Sequence, residues 1–156
     1  MAANVARTIR NHTLANVLAV PQLLDAWKTG LDKAHDDRLE YGGLVYEDGG
    51  VLHFKGPKKG AETFNMVEYV GKELPAGKNP IAVWHIHDEP GRVGACKPSD
   101  GDVSNARNQW GHMFYLVITG RTEPAKGFPG QNRFKDVAPA GSTFKAWYVG
   151  LENEKL

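Results

Sequence analysis

The first regular pattern of apolar positions lies in residues 21–37. Apolar side chains recur there at spacings of three and four residues, at Leu23, Leu24, Trp27, Leu31 and Ala34. This spacing places them on one face of a helix, and Pro21 suits a first helical turn. The pattern predicts one amphipathic helix over residues 21–37. Residues 1–19 have weaker periodicity, which leaves open a second short helix, an arm that contacts a partner, or a frayed terminus.

Short segments rich in β-branched and aromatic residues begin at Glu40, which is typical of strands. The segments EYGGLVY and VLHFKG flank Asp48-Gly49-Gly50, a sequence that favours a hairpin turn. Three further strands are predicted, at 81–87 (IAVWHIH), 112–120 (HMFYLVITG) and 144–151 (FKAWYVGL). The Pro- and Gly-rich stretch 121–141 predicts an irregular connection.

Two other segments have helical features. Residues 61–74 combine helical spacing with strand-forming residues, so we predict a strand that leads into a helix. Ser99 is followed three residues later by Asp102, which predicts a helix beginning near Ser99. Helices mixed with a hairpin and further strands predict an α/β fold, with a mixed β-sheet and packed helices.

Composition fits one soluble domain. The chain has 156 residues, 41% of them hydrophobic, and a net charge of +1, which suits neither nucleic acid nor an anionic membrane. No apolar run reaches the roughly 18 residues of a membrane span. We divide this domain into an N-terminal segment with the amphipathic helix, 1–37, and a second part, 38–156, that contains the predicted strands. One cysteine and no cleavable signal predict a cytoplasmic protein, or export as part of a larger secreted protein.

His85 and His87 carry the strongest chemical signal. They are separated by one residue in a predicted strand, so both imidazoles project from the same face. Burying two imidazoles in an apolar run is costly unless they have a partner. Zinc binds imidazole nitrogen, and a catalytic zinc site needs a third protein ligand and an open position. The pair therefore predicts a metal site.

Three other side chains complete the candidate set. Asp102, at the start of the predicted helix, is the candidate third metal ligand. Glu40 is the candidate general base, with Glu47 as a competitor, and Ser99 is a candidate hydroxyl donor to an oxyanion. Two of these residues also have a structural explanation, because Asp102 suits a helix N-terminus and Ser99 suits an N-cap.

These residues resemble a known signature. Glu40, His85-Ile86-His87 and Ser99-Asp100-Gly101-Asp102 occur in the order of the JAMM motif of the JAB/MPN metalloprotease family. EYGGLVY resembles the strand that carries the family's glutamate, AVWHIH its ligand strand and PSDGDVSNA the start of its ligand helix. The resemblance covers about residues 38–119.

The resemblance implies a JAB/MPN-like α/β sandwich with cytidine-deaminase-like layering, in which residues 38–156 are the catalytic part. It implies that His85, His87 and Asp102 bind zinc, that Glu40 activates water and that Ser99 supports the tetrahedral intermediate. The implied activity is hydrolysis of a peptide or isopeptide bond in a peptide or protein substrate. Asp88 replaces the family's usual proline after the second histidine, and the stretch from His87 to Ser99 is longer than the common form.

These departures look more like a divergent bacterial branch found in C-terminal toxin-like domains of Rhs and other polymorphic secreted proteins. Membership of that branch would make the protein a toxin or effector and would add a cognate immunity or inhibitor protein as a partner.

Zinc binding requires neutral imidazoles and an ionised carboxylate, so metal affinity is expected to fall in acid.

Three other functions share part of this pattern. A JAB/MPN-like scaffold without activity would bind a partner protein. A cupin-like metal enzyme would add Glu89 and His112 to the histidine pair, but its all-β barrel fits poorly with the predicted helices. A zinc deaminase needs P-C-x-x-C, whereas this chain has a single cysteine, Cys96.

Overall fold

The computed structural model describes residues 5–87, 95–124 and 132–156. Its helices in these ranges are α1 (Leu14–Leu18), α2 (Leu23–Asp37), α3 (Met66–Glu73) and α4 (Asp100–Asn108). Its strands there are β1 (Thr8–Ile9), β2 (His12–Thr13), β3 (Tyr41–Asp48), β4 (Val51–Lys59), β5 (Asn79–Ile86), β6 (Phe114–Thr119), β7 (Phe134–Asp136) and β8 (Lys145–Val149).

Six strands form one mixed sheet in the order β4-β3-β5-β6-β8-β7. Strands β5 and β6 are parallel, and the other neighbouring pairs are antiparallel. Helix α4 lies in the crossover that joins the two parallel strands. The predicted α/β class with a mixed sheet is therefore confirmed.

The sheet buries side chains on both faces. Ala82, Trp84 and Ile86 of β5 belong to one buried cluster, which also contains residues of α1 and α2. Val83 belongs to a second cluster, with residues of α3 and α4. Successive strand residues point to opposite faces, so His85 lies on the same face as Val83 and α4.

Most predicted elements are present. The predicted helix 21–37 corresponds to α2, the hairpin to β3 and β4, and the later strands to β5, β6 and β8. The helix predicted to begin near Ser99 is α4, with Ser99 as its N-cap. The unassigned N-terminal residues form β1, β2 and the short α1.

Two parts of the prediction were wrong. The strand expected before α3 does not form, because Asn65 caps that helix by accepting a hydrogen bond from the Glu68 N–H and the Phe64 N–H donates to a side chain instead of a neighbouring strand. Strand β7 was missed in the Pro- and Gly-rich stretch. It has three residues and forms by pairing with β8, which local sequence does not show.

A close approach between β3, β4 and β5 requires glycine at position 43. A Cβ atom added to Gly43 would overlap the Trp84 ring and the Lys55 carbonyl oxygen. Trp84 is fully buried and packs edge-on against Trp27, with ring centroids 5.9 Å apart. Neither neighbour has room to move, so the sheet depends on the absence of a side chain here.

We expect Gly43→Ala to lower the free energy of unfolding by about 1–3 kcal/mol, because overpacking displaces neighbouring groups. Gly71→Ala is the matched control, since a Cβ at that position in α3 meets nothing within 4 Å. Alanine has the higher helix propensity, so the control should gain about 0.5–1 kcal/mol. Urea unfolding measures both changes, and equal effects of the two substitutions would contradict the packing argument.

Candidate metal centre

Two strand ends bring three potential metal ligands together. Glu40 immediately precedes β3, His85 lies near the end of β5 and His87 immediately follows β5. One ligand atom from each of these three residues lies within 4.8 Å of the other two. Both histidines are buried and Glu40 is half-buried. Two imidazoles and a carboxylate arranged in this way could hold a metal ion.

Glu40 is fixed by the loop between β4 and α3. The Glu40 N–H donates to the Ala61 carbonyl at 2.8 Å, and the Phe64 N–H donates to Glu40 Oε1 at 3.0 Å. A Cβ atom added to Gly42 would overlap the Phe64 ring. The glycine after Tyr41 in EYGG therefore leaves room for the residue that holds the Glu40 carboxylate.

A backbone carbonyl fixes the orientation of His87. Its Nδ1 lies 3.1 Å from the Ala95 oxygen. A carbonyl oxygen only accepts hydrogen bonds, so Nδ1 carries the hydrogen. The other ring nitrogen, Nε2, is therefore the one available to a ligand or a proton. Metal-binding histidines commonly have such an outer partner.

Asp102 lies between the two imidazoles. Its Oδ1 is 3.2 Å from His85 Nε2, and its Oδ2 is 3.3 Å from His87 Nε2. Each carboxylate oxygen also accepts one hydrogen bond. The Tyr115 hydroxyl donates to Oδ1 at 3.1 Å, and the Ser99 N–H donates to Oδ2 at 2.8 Å.

The charges of this group are strongly coupled. Burial disfavours a charged His85, but the Asp102 carboxylate outweighs this effect and raises the His85 pKa to about 9. Burial likewise disfavours a charged Asp102, but the two histidines hold its pKa well below the usual range. Without a metal, Asp102 is therefore ionised at neutral pH, and His85 carries the proton between the two side chains.

A cavity of about 220 Å³ opens onto the site. Glu40, His85, Asp102 and Tyr115 line it, together with the amides of Asn65, Asn105 and Gln109. Asn105 and Gln109 follow Asp102 at helical spacing. Glu40, His85 and Asp102 are therefore accessible to a small polar group of a ligand.

Neither Ser99 nor Glu47 lines this cavity. Ser99 is exposed, and its Oγ accepts from the Asp102 N–H at 3.1 Å, as an N-cap does. Glu47 is at the opposite end of β3, where its carboxylate contacts His12 at 2.5 Å and Arg10 at 3.3 Å. The structure therefore does not place Glu47 as a competitor of Glu40.

The other side chains of metal-ligating type lie elsewhere. His35 is in α2, His53 is in β4 and His112 is in the turn before β6. Cys96 is half-buried, and its carbonyl accepts a hydrogen bond from Thr119. Among the described residues, none of these four joins the group of Glu40, His85 and His87. Asp88 and Glu89 lie outside the described residues.

Sequence reasoning missed two contributors. Tyr115 lies in an apolar strand, where a tyrosine is ordinary, and its hydroxyl bond to Asp102 joins distant parts of the chain. Phe64 acts through its backbone N–H, which no side-chain motif could reveal. The sequence signal for Tyr115 is only a single phenolic hydroxyl in the mostly apolar strand FYLVIT.

Comparisons with protein-family models, curated proteins and solved structures found no match to this chain. The helices in the described parts of the chain are all too short or too polar to cross a membrane.

The contact between His85 and Asp102 predicts a pH-dependent stability for metal-free protein. Folding raises the His85 pKa from 6.5 to about 9. A raised pKa stabilises the fold fully below the unfolded value, and this contribution is lost as pH rises through the folded value. The free energy of unfolding should therefore fall between pH 6.5 and 9. Urea unfolding with a chelator present measures this fall, and His85→Gln should reduce it. An equal slope in the variant would contradict the assignment to His85.

Proposed function

We propose that the protein is a zinc-dependent hydrolase of the JAMM type that cleaves a peptide or isopeptide bond. The contact of one buried carboxylate with two imidazole nitrogens carries this proposal. It adds Asp102 to the histidine pair as the third ligand. Glu40 is then left for proton transfer.

The donor set fits zinc. Imidazole nitrogen and carboxylate oxygen both bind zinc at about 2.0–2.2 Å, and two ligands of one tetrahedral ion then lie roughly 3.3 Å apart. The two contacts of Asp102 with His85 and His87 measure 3.2 and 3.3 Å. When both imidazoles are neutral and carry their hydrogen on Nδ1, each contact joins two hydrogen-bond acceptors, a carboxylate oxygen and an unprotonated Nε2. Such a pair of atoms repels. A cation between them, either a proton or a metal ion, removes that repulsion.

His85, His87 and Asp102 would hold the ion. When bound, zinc would act as a Lewis acid toward the amide carbonyl and would lower the pKa of water toward neutral. Glu40 takes that proton and returns it to the leaving amine. The Phe64 N–H holds Oε1 of Glu40 at 3.0 Å, so Oε2 is available to accept the proton. The half-buried position of Glu40 at the cavity suits this role.

Ser99 can combine two roles. Its Oγ accepts from the Asp102 N–H, and a hydroxyl that accepts one hydrogen bond keeps its own proton for donation. That proton is the proposed donor to the oxyanion formed at the carbonyl. The substrate is a peptide or protein, and an inhibitor protein is a second proposed partner. The toxin or effector role, and action in the cytoplasm or after export within a larger protein, rest on the resemblance to the bacterial branch.

The cupin-like alternative does not fit this fold. Cupins need an all-β barrel, whereas the described strands form a sheet that ends at β4 and β7 and has helices on both faces. An inactive scaffold is the remaining alternative, and the experiment below separates it from an enzyme.

We expect about one zinc per chain in the purified protein, by elemental mass spectrometry. Asp102→Asn should remove it, because an amide is a poor zinc ligand. The asparagine Oδ1 still accepts from the Ser99 N–H, so both bonds of the capping box survive. His85→Ala/His87→Ala is the second metal-free control. Glu40→Gln should keep the zinc. It should lower the rate of any hydrolysis of peptide and lysine-isopeptide probes by at least about 100-fold, as loss of a general base does.

The pair of carboxylate variants separates ligand from base. If Glu40→Gln loses zinc and Asp102→Asn retains it, then Glu40 is the third ligand and the proposed division of roles is wrong. If the wild-type protein neither contains zinc nor acquires it when zinc is added, the proposed zinc-dependent hydrolase is refuted and the inactive scaffold remains.

A further inference from the structure

A buried tyrosine donates a hydrogen bond to the proposed metal-binding carboxylate. Tyr115 lies on β6 and is 4% exposed. Its hydroxyl donates to Asp102 Oδ1 at 3.1 Å. Its ring also packs edge-on against the His85 ring, with centroids 5.8 Å apart. One side chain therefore contacts two of the three proposed ligands.

The hydroxyl has no evident packing role. The neighbours of Tyr115 along the same face of β6 and β5 are Val117 and Val83, both fully buried and apolar. A phenylalanine would fill such a position without burying a hydroxyl, which is costly unless it is hydrogen-bonded. The hydroxyl of Tyr115 is thus explained by the carboxylate that it contacts.

The two oxygens of Asp102 are held by different parts of the chain. The Ser99 N–H, three residues away, fixes Oδ2 at 2.8 Å. This local bond holds only one of the two oxygens. The Tyr115 hydroxyl, on another element, holds the other oxygen, Oδ1, so the carboxylate is anchored from two sides. A tyrosine hydroxyl is protonated at neutral pH, so it remains a donor.

We propose that Tyr115 is the positioning residue that aligns the Asp102 carboxylate with the Nε2 atoms of His85 and His87 for metal binding. This inference rests on the proposed function, because it assumes that Asp102 is a ligand. Tyr115 itself does not contact the ion. It acts by holding one oxygen, so that each carboxylate oxygen faces one imidazole.

Tyr115→Phe removes only the hydroxyl oxygen. Tyr148→Phe is a matched control, because the Tyr148 hydroxyl also donates to a carboxylate, Glu154 Oε2, at 2.6 Å. Tyr148 is equally buried in the same sheet but lies in the opposite cluster. The probes are Zn²⁺, added against a chromophoric chelator, and Co²⁺, whose visible absorption spectrum reports the geometry of its ligands.

We expect Tyr115→Phe to weaken Zn²⁺ affinity by about 10–100-fold, as loss of an outer-shell partner does, and to shift the Co²⁺ spectrum. Tyr148→Phe should change Zn²⁺ affinity less than about twofold and leave the spectrum unchanged. Tyr115→Met, a second side chain without a donor, should reproduce the weakening and so separate loss of the hydrogen bond from altered packing.

The outcomes distinguish the two proposals. If the wild type binds Zn²⁺ and Tyr115→Phe matches it in affinity and Co²⁺ spectrum, the positioning role is overturned and the proposed function stands. If the Tyr115 and Tyr148 variants weaken binding equally, the effect is general destabilisation and the positioning role is also overturned. If the wild type binds neither ion, the proposed function itself fails.

Discussion

The burial of the Asp102 carboxylate is the interaction on which the rest of the site depends. Removing a carboxylate from water costs several kcal/mol unless charge and hydrogen bonds compensate. Here two donors, the Ser99 N–H and the Tyr115 hydroxyl, each satisfy one oxygen. The remaining compensation must be positive charge, and the two imidazole Nε2 atoms lie where a proton or a metal ion would supply it. The buried carboxylate therefore needs a cation beside it, and both imidazoles are in position to bind one.

The fold supplies these groups through one crossover. Strands β5 and β6 are parallel neighbours, and α4 lies in the connection between them. Their carboxyl ends therefore lie at the same edge of the sheet, where α/β proteins commonly bind ligands. Strand β5 brings the histidines to this edge and the first turn of α4 brings Asp102. Strand β3, antiparallel to β5, begins at the same edge and so brings Glu40 there. The site is thus a consequence of the order of three strands and one helix.

Much of this could be predicted from local sequence. The spacing of His85 and His87 places both rings on one face of a strand, and the spacing of Ser99 and Asp102 is that of an N-cap and its third helical residue. Both patterns depend on a few consecutive residues. Tyr115 and Phe64 could not be predicted as contributors, because each acts through a hydrogen bond to a residue distant in the chain. Strand β7 was missed for the same reason, since its pairing with β8 determines it.

The helix cap and the proposed ligand set use the same atoms. Ser99 and Asp102 form a reciprocal capping box, in which each side chain accepts from the backbone N–H of the other. This bond pattern stabilises the first turn of α4 whether or not an ion is present. It also fixes the Asp102 carboxylate next to both imidazoles. A site that is already ordered loses little conformational freedom on binding. The structural explanation of these two residues and the functional one are therefore compatible, because the cap builds the geometry that a metal ion would use.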